Sequence, residues 1–276
     1  MALAGQGRQA MGRRRVRGTC HLCGTTGDLS YEHVPPRAAF NRRPVRRARS
    51  ETLFQTADLD HIRGDLLRRG AGAHTLCGRC NNFTGTRYGP AYVEFAHQAG
   101  RFLRLLAAPG IHQHTYTVFP LRVLKQVIAM FASTIGPAFH KTCPELKRFV
   151  LNEFATGLPA EYAVFALLTA ADRGRASGPV GIGDLARRTH SVFSEITFAP
   201  LGFVLALGES AAPDASLIDI TFMAKYLYDD CVPLTLALPV LSVYSPLPGD
   251  YRTREEVQAA YEENVRRGYW PPKQSS

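Results

Sequence analysis

Two Cys-x-x-Cys pairs, Cys20/Cys23 and Cys77/Cys80, constrain this chain more than any other feature of it. Thiolates at that spacing close a tight knuckle, and two knuckles offer four sulfurs in the tetrahedral arrangement that zinc takes. A closed four-sulfur shell leaves no open position, so the expected zinc is structural. It substitutes for a core that a unit of this size struggles to build. The other two cysteines, Cys143 and Cys231, stand alone and read as buried free thiols.

Charge divides the chain in two. Residues 1–110 carry 18 arginines, no lysine and seven acids, a net of +11. Residues 111–276 carry 15 basic and 16 acidic side chains, a net of −1. Arginine presents a planar fork that meets phosphate at two points, which lysine cannot do. A basic half on a neutral half predicts a polyanion-binding unit joined to something else. Neither a signal peptide nor an apolar run long enough to span a membrane is legible, so the reading is a soluble, cytoplasmic protein with no membrane partner.

Three segments follow. Residues 1–18 read as a basic disordered tail, 19–110 as a zinc unit with a trailing helix, and 111–276 as a larger mixed domain. Within the zinc unit, "LSYEHV" reads as a short strand after a turn at "GTTGDLS", and "RPVRRARS" as a loop. A short helix is expected within 51–70 and another at "CNNFTGTRYG". Tyr92, Phe95, Ala99, Phe102 and Leu106 recur at steps of three and four, which predicts a helix to about Ala108, with a boundary or hinge at "APGIHQH". Beyond it, Leu121 to Ile135 mark a helical face and "PELKRFVLNEF" a short helix. "EYAVFALLTA", "HSVFSEITFA", "LGFVLALG" and "PLTLALPVLSVY" read as strands, several nearly continuous in apolar residues and so buried on both faces. "GIG" at Gly181 to Gly183 reads as a turn, and "TREEVQAAYEENVRRG" as a final helix capped by Thr253. Strands in a run rather than in alternation with helices give an α+β class.

Between the cysteine pairs lies Glu32-His33, followed by Pro35-Pro36, and the second pair runs straight into Asn81. The order Cys-x-x-Cys, Glu-His-Val-x-Pro, Cys-x-x-Cys-Asn resembles the HNH endonucleases with a zinc-stabilised ββα-metal fold. The resemblance rests on Cys20, Cys23, Glu32, His33, Pro36, Cys77, Cys80 and Asn81 and spans Thr19 to Arg87. It implies an N-terminal ββα-metal unit with a structural zinc and a metal-dependent endonuclease hydrolysing phosphodiester bonds, with double-stranded DNA the expected partner. His33 is then the general base, and Glu32 and Asn81 bind one Mg²⁺ or Mn²⁺ ion. The residue types suit these roles. Neutral imidazole takes a proton near neutral pH, and hard oxygen ligands suit such ions. Arg42, Arg43, Arg46, Arg47, Arg79 and Arg87 are the expected phosphate contacts.

Two features depart from the pattern. Adjacent residues on a regular strand point to opposite faces, so Glu32 and His33 converge only if the prolines end or twist the strand there. The middle Asn expected just before the second cysteine pair is missing from "GAGAHTLC", where His74 is the candidate to orient His33. The alternative is a zinc-stabilised nucleic-acid-binding or adaptor protein that cuts nothing, with residues 111–276 dimerising or recruiting a regulatory partner.

Overall fold

The computed structural model describes residues 15–48, 64–106, 108–184, 189–208 and 212–269. The zinc unit is built on a three-stranded antiparallel sheet, β1 (Val16–Thr19), β2 (Thr26–His33) and β5 (Gly72–Cys77), with β2 in the middle. The long connection from β2 to β5 carries a small pair, β3 (Val45–Arg47) and β4 (Asp65–Leu67). Cys77 ends β5 with extended backbone and is also the N-cap of α1 (Gly78–Arg87). A second helix, α2 (Gly89–Leu103), follows with Pro90 in its first turn, where the missing N–H is unneeded.

Among the described residues the second half is built on one seven-stranded sheet. Its strands are β6 (Gly110–Val118), β7 (Tyr162–Leu168), β8 (Arg175–Asp184), β9 (Thr189–Phe198), β10 (Leu201–Leu207), β11 (Ile218–Asp219) and β12 (Val232–Val240). The order is β6-β12-β7-β10-β9-β8, with β11 paired to β7, and every pairing is antiparallel except a single contact of β12 with β7. Val164, Ala166 and Leu168 of β7 and Phe203 and Leu205 of β10 face the main core, while Leu167 and Val204 face a second cluster with Phe193, Leu217 and Tyr251. Both faces are thus covered, which is why these strands read as continuous apolar runs. Arg175 and Glu195 form a buried ion pair at 2.7 Å that also holds the loop over the second face. The guanidinium donates to the carbonyls of Ser245, Leu247 and Asp250, and the carboxylate accepts from Gly249 N–H. Buried charges persist only when satisfied this fully.

Helix α3 (Pro120–Ile135) joins the two halves. Thirteen of its residues are buried, from Pro120 to Ser133. It packs on the sheet, on α1 and α2, and on the short helices α4 (Phe139–Thr142) and α5 (Pro144–Leu151). Its buried Lys125 donates to the carbonyls of Phe149 and Asn152, closing the C-terminal end of α5. Burial holds that lysine down to about 7. The last helix, α6 (Arg254–Arg266), opens with a reciprocal capping box between Thr253 and Glu256.

The mixed α+β class is what the run of strands predicts. Several finer expectations change. The expected boundary at residue 110 divides charge but not packing, because Leu22, Leu76, Tyr88 and Phe95 share one buried cluster with Leu121, Phe131, Phe149 and Phe203. The expected tail is shorter: β1 already begins at Val16, and residues 1–14 lie outside the described residues. Thr26 to Ser30 belong to β2 rather than to a turn. Of the helix expected within 51–70, residues 51–63 lie outside the described residues, and Asp65–Leu67 form a strand. Helix α2 ends at Leu103, although Leu106 still packs on the core. His112 and His114 lie in edge strand β6, not in a hinge, with His114 stacked on Phe102 at 4.2 Å. Gly181 to Gly183 run inside β8. Cys143 is buried as expected, whereas Cys231 is exposed. No helix among the described residues is long and apolar enough to cross a membrane.

Candidate functional site

The two knuckles close on each other. The sulfurs of Cys20, Cys23, Cys77 and Cys80 all lie within 4.8 Å of one another, a set that could hold a structural metal such as zinc. The first knuckle turns on Gly24, whose N–H donates to Cys20 O at 2.8 Å with φ of +83°, a conformation that favours glycine. The second straddles the N-terminus of α1, where the helix dipole favours thiolate. Hydrogen bonding to Cys80 lowers the Cys20 thiol below its ordinary range. Among the described residues this is the one cluster of three or more His, Cys, Asp or Glu arranged to hold an ion.

Strand β2 carries the Glu-His pair, and strand alternation wins over the prolines: β2 stays paired with β5 as far as His33. Glu32 turns inward and is 4% exposed. Ser133 Oγ of α3 donates to its Oε2, and the Thr75 hydroxyl lies 3.2 Å from the same oxygen and 3.0 Å from Ser133 Oγ. Asn81 donates its amide N–H to Ser30 Oγ at 3.0 Å and to Tyr31 O at 3.1 Å. Ser30 shares the Glu32 side of the strand, so Glu32 and Asn81 lie on the side away from His33. The convergence of Glu32 and His33 on one ion, which required the strand to break, is not the arrangement here.

A bulge opens the other face. Ser30 pairs with Leu76 and Tyr31 with His74, which leaves Thr75 as the extra residue. Thr75 and Leu76 both point into the core, and His74 is turned outward beside Tyr31. Tyr31 therefore stands between two imidazoles, edge-on to His33 at 5.1 Å and to His74 at 5.3 Å between ring centroids. His74 does not orient His33 by a hydrogen bond. The partner of His33 is the Arg69 carbonyl, 3.0 Å from Nε2. A carbonyl only accepts, so Nε2 carries the proton and Nδ1 presents the lone pair. Partial burial lowers the His33 pKa, and the nearby Arg37 and Arg69 charges lower it further against the opposing pull of that carbonyl. Arg47 and Arg69 also bear on Tyr31.

The loop behind this face is fixed by a residue that sequence reasoning missed. Asn41 is fully buried. Its Nδ2 donates to Pro35 O at 2.7 Å and Ala71 O at 2.8 Å, and its Oδ1 accepts from Ala71 N–H at 2.7 Å. It ties the start of the loop to the entry of β5. Gly70, with φ of +94°, lets that backbone approach, since a Cβ there would lie 2.3 Å from Asn41 O. The spacing from the second cysteine pair pointed elsewhere, because the loop folds back and Asn41 reaches its partners from the far end. Arg37, Arg69, Tyr31 and Ser133 were likewise not singled out. All six expected phosphate contacts are exposed, and a depression lined by Arg37, Ala38 and Arg42 lies on the loop. Arg46 Nη1 reaches Gly64 O at 3.5 Å and Arg47 lies 3.7 Å from Asp65. Arg87 pairs with Glu153 at 3.2 Å and so ties α1 to the second half.

The buried carboxyl has a stability consequence. Burial raises Glu32 to about 7 from an ordinary 4.5, against the hydrogen bonds from Ser133 and Thr75. The folded state then keeps a proton that the unfolded chain releases, so this contribution is full below about 4.5 and is lost as pH rises through about 7. Glu32→Gln, which keeps the neutral shape, is expected to exceed the wild type in stability at pH 8 by up to about 3 kcal/mol, with the gap closing toward pH 5. Urea unfolding at several pH values checks it. A Gln variant that is less stable at pH 8 would show that the carboxylate itself is required.

Comparison of the chain with models of known families, with curated proteins and with solved structures gives no match.

Proposed function

We propose that the chain is a zinc-stabilised nucleic-acid phosphodiesterase that cuts internally, with His33 as general base on the outer face of β2 and β5. The observation that carries this reading is the setting of His33. It is half-exposed, its tautomer is fixed by the Arg69 carbonyl with Nδ1 as the free acceptor, and Arg37 and Arg69 lie within electrostatic reach. A neutral imidazole among guanidiniums is a base placed where a phosphate is held. Two further points support it. The antiparallel pair of β2 and β5 running into α1 supports the ββα unit that the HNH resemblance implies, with the small pair β3 and β4 inserted between the two strands. The charge excess of residues 1–110 suits a polyanion. Zinc in the four-cysteine set is part of the proposal, since four thiolates favour it. Neither expected ligand of a Mg²⁺ or Mn²⁺ ion faces His33: the Glu32 carboxyl is committed to Ser133 and Thr75, and Asn81 lies with it on the other side of β2.

His33→Ala tests the reading. The variant is expected to cut nucleic acid about 10²- to 10⁴-fold more slowly, with zinc content and nucleic-acid affinity little changed. Cleavage at the wild-type rate would remove His33 from the chemistry. Binding without cutting by the wild type, with or without added Mg²⁺ or Mn²⁺, would leave a zinc-stabilised binding module.

A further inference from the structure

We infer that the substrate of this face is RNA, cut by attack of its own 2′-hydroxyl with His33 as base and His74 as acid. The inference rests on the phosphodiesterase reading above and narrows it to one substrate and one reaction.

The first ground is which groups share the face. Alternation along β2 sends Glu32 into the core, where Ser133 and Thr75 close its carboxyl, and leaves Tyr31 and His33 outside. The bulge at Thr75 adds His74 from β5. The set is two imidazoles on either side of the Tyr31 ring, whose hydroxyl donates to Gly70 O, with the charges of Arg37, Arg47 and Arg69 within electrostatic reach. The acid beside this rim, Asp65, lies 3.7 Å from Arg47. Such a set moves protons and holds phosphate. It suits a nucleophile that the substrate brings with it, and the 2′-hydroxyl of RNA sits next to the phosphorus it attacks. Intramolecular placement supplies the advantage that an activated water otherwise has to provide.

The second ground is the spacing. Tyr31 pairs directly with His74, and His33 is two residues further along β2, so the imidazoles are diagonal neighbours on one face. Diagonal pairs lie roughly 7–8 Å apart, within reach of aromatic side chains, and here each imidazole packs edge-on against the Tyr31 ring between them. An in-line displacement has its attacking and leaving oxygens on opposite sides of phosphorus. Two imidazoles flanking a phosphate across Tyr31 can serve one oxygen each.

The step balances without a further reagent. The 2′-hydroxyl proton passes to His33 Nδ1, and the 2′-oxygen forms a bond to phosphorus. The bond from phosphorus to the 5′-oxygen breaks, and that oxygen takes a proton from the His74 imidazolium. The products are a 2′,3′-cyclic phosphate and a 5′-hydroxyl, with Arg37 and Arg69 facing the charge on the non-bridging oxygens. Exchange of protons with solvent resets the two histidines.

The experiment uses the full chain, with Mg²⁺ and Mn²⁺ withheld and zinc content measured. Three oligonucleotides of one sequence are compared: single-stranded RNA, the same RNA with one 2′-deoxy position, and DNA. The expected result is RNA cleavage to 2′,3′-cyclic phosphate ends, no cut after the deoxy position and none in DNA. His74→Ala, at an exposed position, is expected to lower the rate at least about 100-fold with RNA affinity unchanged. DNA cut as readily as RNA, RNA cut only with Mg²⁺ to leave other ends, or an unchanged His74→Ala rate would each overturn the inference while leaving a phosphodiesterase at His33. A wild type that cuts neither polymer with or without Mg²⁺ or Mn²⁺ overturns both.

Discussion

Replacing Cys80 with serine is expected to strip the chain of bound zinc and to unfold the sheet and helix that carry His33. Cys80 is buried in the first turn of α1, and its sulfur closes the cluster that also fixes Cys20 of the first knuckle. In small zinc units the metal contributes on the order of 10 kcal/mol of folding free energy, so an ion lost from a three-stranded sheet is not replaced by what remains. The loss should be local at first. Leu167, Phe193 and Val204 of strands β7, β9 and β10 pack in a second cluster that includes no side chain of the zinc unit. Elemental analysis should find about one zinc per wild-type chain and little in the variant. Hydrogen exchange should show β2 and β5 amides losing protection while β7 and β10 keep theirs. Wild-type protein without zinc, or a Cys80→Ser variant with β2 still protected, would show that the cysteines are not the anchor of this unit.

What was legible in the sequence follows the range of the forces involved. The cap at Thr253 and the helical face from Leu121 to Ile135 are local patterns, and each stands where those patterns put it. The strands buried on both faces were legible because their surroundings leave no polar side. Strand β8 was not. Its "GIG" at Gly181 to Gly183 looks like a turn, and the segment is a strand because β9 supplies a ladder that compensates for its glycines. The four cysteines converge as their spacing implies. Around His33 the legible part stops at the motif. The hydroxyl that receives Glu32 is 101 residues away on α3, and Asn41 meets Ala71 across a folded loop. The bulge at Thr75, which decides that His74 faces outward, is a register shift between strands and has no signature within either one.

Residues 1–110 expressed alone are expected not to fold, although they contain every cysteine of the cluster and the whole charge excess. A division of labour between a basic unit and a neutral one predicts a fragment that binds nucleic acid by itself, and the packing argues against it. Tyr88 donates its hydroxyl to Val150 O at 2.6 Å, Phe95 meets Tyr116 edge-on at 5.1 Å, and Tyr92 lies 6.0 Å from Phe203 between ring centroids. Leu22, Leu76, Tyr88, Tyr92 and Phe95 are nearly or wholly buried in a core that the second half completes. Exposing a large apolar side chain costs about 1.5–3 kcal/mol, so these five alone amount to roughly 10 kcal/mol. Glu32 would also lose Ser133, and His21 its contact with Ser133 O at 3.2 Å. That sum is comparable to what the metal supplies, and folded domains have only about 5–15 kcal/mol of net stability. With zinc present the fragment should therefore show a collapsed near-ultraviolet circular dichroism signal, poor amide dispersion by nuclear magnetic resonance and a tendency to aggregate. Its residual binding to nucleic acid should be steeply salt-dependent, because arginines without a fixed arrangement still release counterions. Co-expression of residues 111–276 is expected to restore the native signals by rebuilding the shared core. A fragment of 1–110 that folds alone, with sharp dispersed resonances and His33-dependent cleavage, would mean that the zinc unit needs nothing from α3 and that the second half is a passenger.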